Sequence, residues 1–443
     1  MRRLLLLACL LLVVTALTGC RNVIPYQPHH PPDREWRGIS TDVITGSGVT
    51  VLAPAGLVRE GAVGISPVNP RVAVAAGILN ERGASARILV WRTSDGGGTW
   101  ARAAELPLEI DGVAFTGHYD PAIAFDATGR AFLAAVATTS TRAITSIVVF
   151  RSTDGGATWA GEYARPITGL TQDKPWIAVD GANGTLHLIW GEFRFGGGGA
   201  VLYARSADAG ATWAEAKEVR SNVGWPFVAA APGGKVIATY ADSTDFAYAV
   251  RRSTDGGGTF GGPVRIGTFG SCGTTLPDAG MHQLAADTSP RATRGHLYAV
   301  SCGTAGGAKG VVLTRSTDGG TTWSEPALVS GPADIALPAV TVDDRTGDVI
   351  VAWIDGRHAP QTKSGRLYAT RSRDGGASFE APFALSAAFN ADGFIGDYNQ
   401  LAASDGLALA VFSDAAGHFS VARIGEPGTD PPPAPPRRRA VRH

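Results

Sequence analysis

The chain is built from short apolar runs separated by tight polar turns. Residues 122–125 are apolar, 126–129 read Asp-Ala-Thr-Gly, and 130–137 are apolar again. Residues 144–151 form a third run, in which apolar and polar positions alternate. Runs this short, bounded by glycine-rich turns, predict antiparallel strands rather than helices. A polar octapeptide follows at 152–159, Ser-Thr-Asp-Gly-Gly-Ala-Thr-Trp, and then a fourth run around 162–167.

The same succession returns along most of the chain. A third unit has runs at 176–179, 185–191, 201–205 and 218–221. The fourth has 227–230, 235–241 and 247–252, and the fifth 284–286, 296–301 and 311–315. The sixth has 339–342, 349–354 and 367–371, and a looser first unit has 63–66, 72–76 and 88–92. Near-copies of the octapeptide stand at 93–100, 206–213, 253–260, 316–323 and 372–379. A four-strand unit recurring roughly every 50 residues is the signature of a propeller or solenoid.

A seventh unit, with runs at 400–403, 407–413 and 419–424, lacks both the octapeptide and a fourth strand. One unassigned run remains, at 49–53, near the other end of the chain. Pairing it with the last unit closes a ring and removes an open edge. The reading is therefore an all-β fold, a β-propeller of four-stranded antiparallel blades. Seven blades are expected, with six blades plus an accessory hairpin as the alternative.

The octapeptide has its own chemistry. A short Asp side chain folds onto nearby backbone N–H groups and fixes a turn. Glycines supply positive φ, and the closing Thr and aromatic begin the next strand. The pattern Ser/Thr-x-Asp-x-Gly-x-Thr/Ser-Trp/Phe resembles the Asp-box, or BNR, repeat of the sialidase-type β-propellers. Six copies in register speak for the fold, while an activity must be argued from a site.

Composition changes the picture at the ends. Lys and Arg together number 39, and so do Asp and Glu. That balance gives no bulk pull toward nucleic acid, and no nucleic-acid partner is expected. Residues 1–20 read as a targeting segment: Arg2 and Arg3 precede an apolar stretch, 4–16, too short for a confident membrane span. It ends in Leu17-Thr18-Gly19-Cys20, which resembles a bacterial lipoprotein processing box. That implies lipidation at Cys20 and a chain tethered to an envelope membrane. An ordinary secretory signal with a chance cysteine is the alternative. Residues 21–45 read as a tether, 46–426 as the propeller, and the Pro- and Arg-rich 427–443 as a disordered tail.

With Cys9 in the leader and Cys20 carrying lipid, Cys272 and Cys302 remain. In an exported protein they are expected to pair, the alternative being two separate buried thiols.

Antiparallel connectivity assigns faces. If the octapeptide joins the third strand to the fourth on one face, the start of the first strand and the end of the second lie on the other. Those positions carry Tyr119 and Asp120, Asp173 and Lys174, Trp225, His282, and Asp397 and Tyr398. They also carry Glu192 with Arg194, and Asp355 with Arg357. Carboxylates, arginines and aromatics thus converge on one polar mouth, suited to a sugar-like or anionic ligand.

The sialidase resemblance implies sharper roles. That family holds its substrate carboxylate with three arginines and uses a tyrosine nucleophile paired with a glutamate, with an aspartate as acid/base. The matching positions are Tyr398, Glu192 and Asp120, with Arg194 and Arg357 as two of the arginines. The family's Phe/Tyr-Arg-Ile-Pro motif does not occur, and Arg59 is the nearest position to its arginine. Substrate-binding residues are expected to include Asp173, Lys174, Trp225, His282, Asp355 and Asp397.

Three readings stand at this point. The first is an exo-sialidase-like glycoside hydrolase, acting on sialic acid or on another acidic or neutral sugar. The second is a non-catalytic glycan- or protein-binding propeller of the cell envelope. The third is a metal-dependent enzyme using Asp120, Asp173, His282 and Asp397, for which no spaced ligand motif exists. No metal or cofactor is expected, and a monomer is, because a closed ring leaves few edges.

Overall fold

The computed structural model describes residues 48–425 except 55–56, 81–84, 140–144, 167, 169, 194–198, 243, 245, 269–275, 277–281 and 359–361. The leader, Cys20, the tether and the tail lie outside the described residues, as do Arg194 and Cys272.

Seven sheets of four antiparallel strands form a β-propeller. Blade 1 runs Val58–Ile65, Ala73–Leu79, Arg87–Thr93 and Ala101–Arg102. Blade 2 runs Gly117–Phe125, Ala131–Thr138, Thr145–Ser152 and Ala160–Arg165. Blade 3 is Thr171–Val179, Leu186–Phe193, Gly199–Ser206 and Lys217–Ser221, and blade 4 is Val223–Ala231, Lys235–Asp242, Ala247–Ser253 and Val264–Thr268. Blade 5 is Gln283–Ala286, Leu297–Ala305, Ala308–Ser316 and Ala327–Leu328. Blade 6 is Ile335–Val342, Val349–Asp355, Ser364–Ser372 and Phe383–Ala384. Blade 7 is Leu401–Ser404, Leu407–Ser413 and Phe419–Ile424, and its fourth strand is Gly48–Ala53, paired with Phe419–Ile424. The ring closes between the two ends of the domain, as the unassigned run at 49–53 predicted.

The core lies between adjacent blades. Val74, Ile88 and Val90 of blade 1 pack on Ile123, Leu133 and Phe150 of blade 2, and each further junction repeats the layer. Inner strands are covered on both faces, so Ala131–Thr138 is buried throughout and reads as one apolar run. Outer strands are wet on one side, and Lys217–Ser221 buries only its central Val219.

All six octapeptides join a third strand to a fourth. In blade 2 the Ser152 hydroxyl donates to Asp154 at 2.8 Å, and Asp154 accepts the Thr158 N–H at 3.0 Å and its hydroxyl at 2.6 Å. The Trp159 indole N–H then donates to the Gly156 carbonyl at 3.1 Å.

Five innermost strands begin earlier than their apolar runs indicate. Blade 2 starts at Gly117 rather than 122, and blade 6 at Ile335 rather than 339. The reason is a bulge that breaks the apolar run, and the functional side chains hang on it.

Candidate functional site

The bulge recurs at one register position. Pairing shifts between Arg59 and Ala62, Tyr119 and Ala122, Asp173 and Trp176, Gly224 and Phe227, and Ala336 and Ala339. Within each shift one non-glycine residue takes positive φ: Glu60 (53°), Asp120 (54°), Lys174 (49°), Trp225 (51°) and Leu337 (52°). Such a conformation costs on the order of 1–3 kcal/mol per residue and persists only where its surroundings impose it. The next residue is Pro121, Pro175, Pro226 or Pro338, which has no N–H to leave unpaired in a bulge. Blade 1 has Gly61 instead, because a Cβ there would lie 2.6 Å from the Phe419 ring of blade 7.

Blade 7 enters differently. Residues 398–400 tie blade 7 to blades 1, 2 and 5. The Tyr398 hydroxyl donates to the Pro121 carbonyl at 2.9 Å, and its ring meets Trp176 edge-on at 6.0 Å. Gln400 accepts from Ile123 N–H at 3.0 Å and donates to its carbonyl at 2.7 Å. Gln283 donates to the Asn399 carbonyl.

The bulges of blades 1, 2 and 3 and the entry to blade 7 bring their charges together around Lys174. Its ammonium lies 3.3 Å from Glu60 Oε1, 3.4 Å from Asp120 Oδ1 and 3.1 Å from Asp397 Oδ2. The Lys174 backbone N–H donates to Asp120 Oδ2 at 3.4 Å, and the ammonium stands 5.1 Å from the centre of the Tyr398 ring. Glu60 and Asp120 are buried, whereas the Asp397 side chain is 41% exposed and opens the cluster to solvent.

Burial first, and the Asp120 charge against it, push the Glu60 and Asp173 carboxyls well above the usual carboxylate range. Burial pushes Asp120 the same way. Lys174 and hydrogen bonds from Glu60 and Asp173 outweigh that and leave Asp120 below its ordinary value. Lys174 is raised despite its burial, chiefly by Asp120 and Glu60. Burial, then Asp120, raises the Tyr398 phenol well above its ordinary value. The cluster therefore sets a carboxyl held below its ordinary value, Asp120, against neighbours held above theirs, the contrast acid/base chemistry uses.

Of the expected site residues, the structure brings Asp120, Asp173, Lys174, Asp397 and Tyr398 together. It does not bring Glu192 to the Tyr398 hydroxyl. Glu192 accepts from Arg165 and Gln172, each at 3.0 Å, and the Gln172 side-chain Oε1 accepts from the Trp190 indole. Arg357 is not free for a ligand. It pairs with Asp355 at 2.6 Å and donates to the Ser330 carbonyl at 2.6 Å, while Trp353 also donates to Asp355. His282 is packed between Phe227 and Tyr248, and burial lowers it to about 3, so it is neutral. Arg59 donates to the Ala415 carbonyl and lies over the Phe394 ring. Cys302 is buried and disulfide-bonded, and no partner of it lies among the described residues. Among the described residues no group of three His, Cys, Asp or Glu is placed to hold a metal ion.

Glu60 was missed, although Arg-Glu-Gly at 59–61 aligns with Tyr-Asp-Pro at 119–121 and Asp-Lys-Pro at 173–175. Starting the first unit at 63 hid it. Four exposed aromatics stand at strand ends on the same face: Phe193, Trp225, Phe246 and Phe394.

No family model and no curated protein matches the chain. Among solved structures it is similar to a sialidase described as Hadza microbial, 15% identical over 80% of this chain and 74% of that one, with a TM-score of 0.47. It is also similar to the GH93 α-L-arabinofuranosidase of Fusarium graminearum, 14% identical over 86% and 97%, TM-score 0.48. A third is the intramolecular trans-sialidase of Ruminococcus gnavus, 12% identical over 86% and 97%, TM-score 0.44. At these identities the likeness concerns the fold, and function has to be argued from the mouth itself.

Proposed function

We propose that this propeller is a glycan-directed protein and that the cluster around Lys174 is an acid/base site of glycoside-hydrolase type for a neutral sugar. The observation that carries the reading is Asp120. It is a buried carboxyl held below its ordinary value beside Glu60 and Asp173, which are held above theirs, on the blade face that also carries the exposed Trp225 and Phe193. In hydrolysis Asp120 takes a proton from the water whose oxygen bonds to the anomeric carbon. The departing glycosidic oxygen takes up that proton from Asp120, which ends the cycle as it began. Trp225 and Phe246 offer apolar faces to sugar rings.

Charge decides against sialic acid. A substrate carboxylate is best held by arginine forks. Here Lys174 already faces three carboxylates, and Arg357 and Arg59 are engaged elsewhere. An exo-sialidase would bring a further negative charge to this floor.

The test is release of 4-methylumbelliferone from a panel of neutral glycosides and from the sialic acid conjugate, by wild type and Asp120→Asn. Turnover of a neutral glycoside, lowered roughly 10²–10⁴-fold in Asp120→Asn, supports the reading. Turnover of the sialic acid conjugate would overturn the charge argument. Silence on every sugar, joined with no glycan binding, would overturn the whole reading.

We also propose that the chain is exported and anchored by lipid at Cys20. Cys20→Ser is expected to move the protein from the membrane to the soluble fraction. Unchanged fractionation would contradict the anchor.

A further inference from the structure

We propose that Lys174 is a positioning residue that draws Glu60, Asp120 and Asp397 from three blades onto one point and makes Asp120 the base of the site. The assignment rests on the acid/base reading above for its chemistry, and on geometry for its choice of residue.

An ammonium has three protons to give, and three carboxylates from three blades surround this one, at 3.3, 3.4 and 3.1 Å. The donors are shared unequally. Asp120 is reached twice, by the ammonium at one oxygen and by the Lys174 backbone N–H at the other. Glu60 and Asp397 each meet the ammonium alone. Two donors from one cationic residue favour the charged form of the carboxylate they reach.

The backbone sets that geometry. Lys174, Asp120 and Glu60 all hold positive φ at the same bulge of consecutive blades. A lysine in an ordinary strand would point along the sheet face, whereas the bulge re-aims the chain at the axis. The groups facing the cluster are then Glu60 from blade 1, with Arg59 beside it, Asp120 from blade 2, Asp173 from blade 3, and Asp397 and Tyr398 entering blade 7. Asp173 adds a fourth carboxyl beside this one close cation, and the Lys174 backbone N–H singles out Asp120 among them. The upward displacement of Glu60 and Asp173, and the downward one of Asp120, agree with this order.

A purely structural lysine would tie the blades without choosing the base. The two roles separate in the infrared carbonyl bands of protonated carboxyls, recorded at pH 7 on the folded chain without substrate. Wild type is expected to show bands that Glu60→Gln and Asp173→Asn each diminish, and none that Asp120→Asn alone removes. Lys174→Met is expected to add a band, because Asp120 loses the ammonium and takes up a proton, and Lys174→Arg to restore the wild-type spectrum. No added band in folded Lys174→Met would overturn the assignment. So would loss in Asp120→Asn of a band that neither Glu60→Gln nor Asp173→Asn diminishes; this variant keeps Lys174 and decides the matter if Lys174→Met does not fold. A silent sugar panel would instead overturn the hydrolase reading.

Discussion

At the scale of single residues, the same carboxylate chemistry does two opposite jobs. In the turns, Asp95 is held down to about 2, first by the Thr99 hydroxyl and then by the Thr99 N–H. A carboxylate whose folded value is depressed adds stability above its unfolded value, 3.8 for Asp95, and loses it as pH falls toward the folded one. The six turns together predict a steep loss of thermal stability between about pH 4 and pH 2, read by a melting series. Asp154→Ala removes acceptors for four backbone and hydroxyl donors, and is expected to cost about 1–3 kcal/mol in urea unfolding. At the axis the sign reverses. Glu60 is raised, so the stability linked to its proton is present at low pH and lost as pH rises toward its folded value. Glu60→Gln keeps the shape without the charge. Its melting temperature relative to wild type is expected to rise from pH 5 to pH 8, and a flat difference would place an ordinary carboxyl at 60.

At the scale of elements, strands and turns were plain in the chain, while the bulges were not. The repeated octapeptide marks the third and fourth strands of blades 1 to 6, and an unbroken apolar run such as 131–138 marks the second. The innermost strand carries no such stamp. Its bulge interrupts the apolar run with Asp120-Pro121 or Lys174-Pro175, so the run looked as though it began after the bulge. The faces of the blade followed from connectivity alone, which is why Asp120, Lys174 and Asp397 were picked out. Glu192, Arg357 and His282 stand at equivalent strand ends, yet local partners hold them, and no spacing rule reveals a local partner. The closing strand offers a direct test. Removing Gly48–Ala53 leaves Phe419–Ile424 with an open edge. The shortened chain is expected to melt at lower temperature and to self-associate in size exclusion, whereas an unchanged monomer would mean the ring holds without its clasp. Gly61→Ala, pushed against Phe419, is expected to cost about 1–3 kcal/mol at the same junction.

At the scale of the whole molecule, a chain with 39 basic and 39 acidic residues keeps a locally acidic floor at its axis. The propeller makes that concentration feasible. Blades 1, 2, 3 and 7 are far apart in sequence, and each sends one strand start to the same place. Around that floor the exposed aromatics Trp225 and Phe246 stand on blade 4, and Phe193 on blade 3. The central claim is that this mouth takes neutral glycans. A glycan array probed with the mature chain tests it most directly, with Trp225→Ala and Asp397→Asn alongside. The account predicts retention on neutral glycans, absent from their sialylated forms and weakened several-fold in both variants. Binding confined to sialylated glycans, or binding that neither variant changes, would contradict it.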